Sequence, residues 1–228
     1  ELEGRMDAEL AGFMRKMKAS AQQLTAFTNN ILNVSRYEND QLLLKLHEEK
    51  LDEIISASVS DMSLRAAVQG ITLKTDIAPS LPTVAADRVS VYEVLNNLID
   101  NAIKYSGKSK EVIISARVNK EGRVEATVQD FGVGIPESAM DNLFDKFYRN
   151  HRNRAQVGGT GMGLYLSKAM IDAHEGDIWV SSKEGQGSTF GFSLKAYSDL
   201  VEKGKAGDNK DIVRSAHGWI KNHSLYRR

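Results

Sequence analysis

The 228-residue chain has no cysteine and no net charge, and it contains no long apolar run. Without cysteine there can be no disulfide and no thiolate metal site, which fits a reducing compartment. No apolar stretch approaches the roughly 20 residues that a membrane-spanning helix needs. We therefore expect a soluble, cytoplasmic segment with no membrane-crossing piece of its own, whether or not the parent protein is anchored in a membrane. Thirty basic and thirty acidic side chains cancel, so no global field draws in nucleic acid or an anionic lipid surface, and no nucleic-acid partner is expected. The chain opens at Glu1 without methionine or a signal-like stretch, from which we expect a piece of something longer.

What is present is an ordinary globular core, 41% hydrophobic, enough for one large or two small domains. At the N-terminus Met6, Leu10, Phe13, Met17, Ser20, Leu24, Phe27, Ile31 and Val34 alternate spacings of four and three, a heptad seam interrupted only at Ser20. Met14, Ala21, Thr28 and Leu32 widen the stripe toward a bundle of several helices. One helix cannot make that bundle alone. A homodimer through this helix is expected, the alternative being a helix that folds back on its own domain.

Beyond it, "LLLKLHEEK" reads as a strand, 51–69 as a helix, "ITLKTDI" as a strand and 88–105 as a helix. The runs "EVIISARV" and "RVEATVQD" form a hairpin around "NKEG". Residues 137–147 read as helical, 148–160 as a loop and 161–174 as helical, and "DIWVSS" and "GSTFGFSL" are strands around "KEGQG". The sum is an α+β fold, an α/β sandwich whose mixed sheet packs against helices, preceded by a long bundle-forming helix. The expected division is 1–45 for that helix, 46–197 for the sandwich, and 198–228 for a linker and a basic tail that could be helical.

Three stretches carry chemistry. In "GGTGMGLYLSKAM", Gly158, Gly159, Gly161 and Gly163 precede a helical recurrence of Met162, Leu164, Leu166, Ala169 and Met170. Glycines let backbone approach a ligand closely, and the unpaired amides of a helix start attract phosphate; a flexible hinge would read the same way. A Walker loop would need Lys before Ser or Thr, and a dinucleotide fingerprint would need a strand directly upstream; this run has neither. Upstream, Arg149, Arg152 and Arg154 suggest a mobile cationic loop that could close over phosphates.

On the helix from about 88 to 105, the spacing of Asn97, Asn101 and Lys104 puts them on one face, with Tyr105 next to it. An amide oxygen can ligate magnesium, and a lysine offers a point charge to phosphate; a solvated polar face is the plain alternative. In "VQDFGVGIP" a strand ends at Asp130, and Gly132 and Gly134 precede Ile135. A buried carboxylate there would accept from an exocyclic amine and so distinguish adenine, whereas an exposed acid in a simple loop would not.

Taken in order, "NLIDNAIKYS", "DFGVGIP", "LFDKFYRN", "GGTGMGL" and "GQGSTF" resemble the ATP-binding domain of sensor histidine kinases, over residues from about 90 to 195. The preceding "ILNVSRYEND" is similar to the end of a kinase dimerisation helix. The resemblance implies a GHKL domain with the Bergerat fold, which binds ATP and magnesium under a lid at about 148–160. Asn101 would then ligate the metal, Asn97 would support metal and phosphates, and Lys104 and Tyr105 would touch the phosphate and ribose region. Asp130 would read the adenine amine, with Gly132, Gly134 and Ile135 shaping the base pocket and Thr189 supporting the aspartate. Phe144 and Phe147 match the aromatic box, Lys146 and Arg149 become phosphate contacts, and Gly159, Thr160, Gly161, Met162, Gly163 and Leu164 form the glycine loop.

It also implies transfer of the ATP γ-phosphoryl group to a histidine on a dimerisation helix, then to a response regulator receiver domain. The acceptor itself is not visible. His47–Glu48 and His174–Glu175 imitate an acceptor pair, but one falls in a strand-like stretch and the other at a helix end, so both read as structural, while His151, His217 and His223 fall in loop or tail. Hydrolytic relatives of the gyrase and chaperone type carry a glutamate where Asn97 stands, and asparagine is no general base near neutral pH. An anti-sigma-factor serine kinase lacks the long preceding helix. A non-catalytic dimerisation or docking module would have no use for the intact glycines.

Overall fold

The computed structural model describes residues 8–38, 43–149, 160–199 and 212–215. The elements are α1 (Ala8–Glu38), β1 (Leu43–Glu49), α2 (Leu51–Val68), β2 (Thr72–Ile77), β3 (Val84–Ala86), α3 (Arg88–Tyr105), β4 (Glu111–Val118), β5 (Val124–Asp130), α4 (Glu137–Met140), α5 (Gly163–Ala173), β6 (Asp177–Lys183), β7 (Gly187–Leu194) and β8 (Ile212–Ser215). Five strands form a mixed sheet in the order β2-β4-β5-β7-β6. Its one parallel pair is β2 with β4, a pairing that the intervening α3 makes sterically possible as a crossover.

Period-two alternation decides which face is covered. Val112, Ile114 and Ala116 of β4, Val124, Ala126 and Val128 of β5, and Phe190, Phe192 and Leu194 of β7 are all buried. They share one core with Leu51, Ile54 and Ile55 of α2, Leu95, Leu98 and Ile99 of α3, and Leu166, Met170 and Ile171 of α5. Burying side chains of this size stabilises the fold by about 1.5–3 kcal/mol each.

A second sheet runs β3-β1-β8, antiparallel throughout. Leu44 and Leu46 of β1 are buried with Ala85, and Ala173 and Tyr197 pack against them. β1 packs with the sandwich and runs across the boundary expected between 45 and 46. Residues 212–215 form a strand on β1, which replaces the helical reading of that part of the tail. β3 is three residues long, too short for a period to be read.

The helix expected over 137–147 stops at Met140. Tight turns follow, with Leu143 N–H on Met140 O at 3.3 Å and Asp145 N–H on Asn142 O at 3.0 Å. Asp141, Asn142 and Asp145 are residue types whose side chains compete for backbone groups and disfavour a helix interior.

α1 keeps the apolar stripe seen in the sequence, and Leu10, Phe13, Met17, Leu24 and Ile31 are exposed along it. Its last turns behave differently. Val34 and Tyr37 are buried in the sandwich core, so the helix is anchored at its C-terminal end, while the apolar side chains named above stand exposed along the preceding turns.

His174 closes the sandwich at the other end of α5. Its Nδ1–H donates to Met170 O at 2.6 Å, and its Nε2 accepts from Asp87 N–H at 3.0 Å. Asp87 in turn caps α3 by accepting from Ser90 N–H at 3.0 Å, and it accepts from Lys45 N–H at 3.1 Å. Both ring nitrogens are committed, so only the neutral imidazole fits, and burial pushes its pKa below the ordinary value of 6.5. A group whose folded pKa is depressed in this sense stabilises the fold above its unfolded value, and that stability is lost as pH falls below it. Melting curves of wild type and His174→Ala between about pH 8 and pH 5 should converge: the variant starts less stable by about 1–3 kcal/mol and loses less on acidification. Parallel curves would contradict this role.

Candidate functional site

α3 organises the site because bare backbone meets it at two places, its middle and its C-terminal end. At Asn97 it is met by the start of α5. A Cβ at Gly163 would lie 2.2 Å from Asn97 Oδ1, far inside van der Waals contact, so a side chain there would push the Asn97 amide out of its place. Asn97 Nδ2 donates to Ser167 Oγ at 2.8 Å, one turn along α5, which fixes the amide and leaves Oδ1 directed at the helix start. α5 opens with no side-chain cap, and the buried Met162 anchors that opening in the core. Thr160 Oγ1 accepts from Met162 N–H at 3.3 Å, and Leu164 packs on the core.

At the C-terminal end of α3, a Cβ on Gly132 would lie 1.9 Å from Tyr105 O. The loop after β5 is therefore pressed against the last turn of α3. Asp130 at the end of β5 is 4% exposed; its Oδ1 accepts from Gly132 N–H at 2.8 Å, and the Ser188 N–H donates to the same carboxylate. Burial pushes Asp130 above the usual carboxylate range, against the pull of those two donors. Gly134, at φ +66°, sits against Lys183 O on β6, and Ile135 N–H donates to Ser182 Oγ at 2.9 Å.

Register overturns one assignment. Asp130 pairs with Ser188 and Gln129 with Thr189. Directly paired residues share a face, so Ser188 lies on Asp130's side of the sheet and Thr189 on the other. The residue supporting the aspartate is Ser188. Ser182 was missed altogether: its hydroxyl donates to Gly187 O at 2.8 Å, accepts from Ile135 N–H and lies 2.9 Å from Ser188 Oγ. It clasps the loop after β5 to the β6–β7 turn. Neither serine had a pattern signal, because strand pairing alone brings them together.

The cations are differently placed. Lys104 Nζ pairs with Asp100 Oδ2 at 2.5 Å, its neighbour one turn back on α3. Lys146, expected on phosphate, lies over the Tyr165 ring, 5.1 Å from its centre, and burial lowers its pKa. Lys168 lies 5.8 Å from the centre of the Phe144 ring. Phe147 is more than half exposed at φ +61°. Gly161, at φ +73°, brings the backbone before α5 against residues 147–149, with Arg149 Cγ 3.0 Å from where its Cβ would be. Arg149 is also near enough to Tyr105 to oppose the upward push that burial gives the phenol. Gly159 and most of the expected lid lie outside the described residues.

Among the described residues no cluster of three or more His, Cys, Asp or Glu could hold a metal ion. Neutral amides on α3 are a different kind of donor. They suit magnesium, which keeps several waters and shares its shell with substrate phosphates.

Residues 86–198 match the family of histidine kinase-, DNA gyrase B- and HSP90-like ATPases. Among curated proteins, the chain is 32% identical over 176 residues to the adaptive-response sensory kinase SasA of Synechococcus sp. (strain JA-3-3Ab), covering 77% of this chain and 46% of that one. It is 34% identical over 188 residues to the sensor-like histidine kinase SenX3 of Mycolicibacterium smegmatis, covering 82% and 48%. The chain carries the GHKL catalytic domain of a sensor histidine kinase. A solved structure of full-length ShkA in complex with AMPPNP superposes with a TM-score of 0.73 at 26% identity, over 83% of this chain and 39% of that one. The chain spans about half the length of the SasA and SenX3 sequences it matches. The kinase domain therefore has the mixed α+β sandwich and the ATP-binding family expected of it, and neither the anti-sigma serine kinase nor the docking-module reading is favoured.

The raised Asp130 pKa means that its charge costs the folded kinase domain stability at neutral pH, a cost that disappears as pH falls below the ordinary carboxylate value. Asp130→Asn should therefore raise the melting temperature, by about 2–4 °C per kcal/mol relieved, while ATP affinity falls at least roughly tenfold, the loss expected of one charge-assisted hydrogen bond. Thermal melts and calorimetry test both; lower stability with ATP affinity intact would contradict the assignment.

Proposed function

We propose that this domain binds magnesium ATP and donates the γ-phosphoryl group to a histidine on a dimerisation helix, for relay to an aspartate of a response regulator receiver domain. One observation carries the reading: the buried acid and the uncapped helix start lie against the same helix. Asn97 and Tyr105 are eight residues apart on α3, about 12 Å along its axis at 1.5 Å per residue. That is the scale on which adenine and the terminal phosphate of one ATP are separated.

Adenine would donate its exocyclic amine to Asp130 beside Gly132, Gly134 and Ile135, and the phosphates would run along α3 toward the amides that open α5. Asn101 would ligate magnesium and Asn97 would support it. When bound, the metal neutralises phosphate charge as it develops in transfer. Asn97 has no proton-accepting group suited to activating water, which favours transfer to a protein nucleophile over hydrolysis. Gly161 would serve as the hinge of a lid over the phosphates, with Arg149 beside it as a phosphate contact.

The exposed stripe on α1 supports a homodimer through that helix. We place the domain in the cytoplasm, where ATP and receiver domains are available. Among the described residues the histidines are His47, on β1, and His174, buried and doubly hydrogen-bonded; neither lies on α1. We therefore read the chain as a donor that needs its acceptor supplied, since neither described histidine stands on the dimerisation helix. Incubated with magnesium ATP alone it should form no acid-labile phosphohistidine, and with a separately supplied dimerisation-helix protein the label should appear on that protein's histidine. Phosphohistidine on the chain by itself would overturn this.

A further inference from the structure

A carboxylate sits where the site should repel one. Asp100 immediately precedes Asn101 on α3, and its side chain is only 16% exposed. Left to itself, it would oppose an approaching triphosphate and tie up Lys104 in a neutral pair. It is instead bridged twice: Oδ2 to Lys104 Nζ at 2.5 Å and Oδ1 to Arg65 Nη2 at 2.7 Å. Among the described residues Oδ1 accepts no aligned hydrogen bond, so the guanidinium is the charge that compensates it. Arg65 comes from the last turn of α2, a helix outside all five nucleotide motifs.

The charges decide what the bridge does. With Arg65 the cluster of one acid and two bases is net positive; without it, Asp100 and Lys104 cancel. We propose that Arg65 is a positioning residue for nucleotide recognition: by sharing the Asp100 carboxylate with Lys104 it offsets the acid's charge, so that the paired Lys104 ammonium still presents net positive charge to the phosphates. This rests on the ATP-site reading above. It gives α2 a part in phosphate affinity and none in reading the base, since the adenine end is built from β5, β6 and β7.

A merely structural tie between α2 and α3 would behave differently, because loosening it would weaken adenosine and ATP binding alike. The test is calorimetric titration of the whole chain, in magnesium, with adenosine and with ATP. Arg65→Gln, which keeps a good helix former, should lose about tenfold in ATP affinity and leave adenosine unchanged. Arg65→Lys should recover most of the loss. Adding Asp100→Asn to Arg65→Gln should also restore ATP binding, because the acid that neutralised Lys104 is then gone.

Unchanged ATP affinity in Arg65→Gln, an equal loss on adenosine, or no recovery in the double variant would each overturn the proposal. A wild-type chain that binds adenosine but not ATP, or neither, would overturn the reading of the site itself and this inference with it.

Discussion

The site depends on how closely bare backbone approaches α3. At Gly163 the start of α5 comes within the radius of a single methyl group of Asn97, and at Gly132 the loop after β5 does the same against Tyr105 O. A side chain has no room at Gly132 and at Gly163 would displace the Asn97 amide, and the two approaches lie at opposite ends of the nucleotide face of one helix. Glycine is entropically costly to order; here the cost is offset by geometry that no other residue allows. The same closeness that positions the amides of α5 also lets Ser167 lock the Asn97 side chain, so recognition and packing are set by one contact.

The surrounding fold exists to keep those approaches in register. The inner face of the sheet and three helices share one core, and the ends of α3 and α5 are tied outside it. His174 joins the last turn of α5 to the cap of α3, and Asp87 carries the link on to β1. β1 follows α1, whose buried Tyr37 enters the core shared with α5. The long helix and the element that opens the phosphate end therefore share one core.

Much of this was legible in residue order. α3 was readable because its apolar positions recur at helical spacing and its polar face carries Asn97, Asn101 and Lys104 without interruption. The hairpin of β4 and β5 was readable because two β-rich alternating runs flank a polar turn. What could not be read depends on pairing across the chain. Whether Ser188 or Thr189 faces Asp130 is decided by strand register, and a slip of one residue reverses it. Ser182 reaches its partners from another strand, and Arg65 reaches Asp100 from another helix. β3 and β8 are too short to show a period, and the turns after α4 follow from local competition by Asp and Asn side chains. Lys104 and Lys146 were placed by type, yet each is held by a neighbour that their spacing does not announce.

The most direct measurement is calorimetric titration of the chain with ATP and with GTP, each with and without magnesium. A buried acid that reads an exocyclic amine requires adenine selectivity, and amide ligation shared with phosphates requires that magnesium strengthen the binding. ATP should therefore bind in preference to GTP, and more tightly with the metal present. Equal affinity for the two bases, or no binding of either, would contradict the site, and the glycines before α5 would then be only a flexible loop.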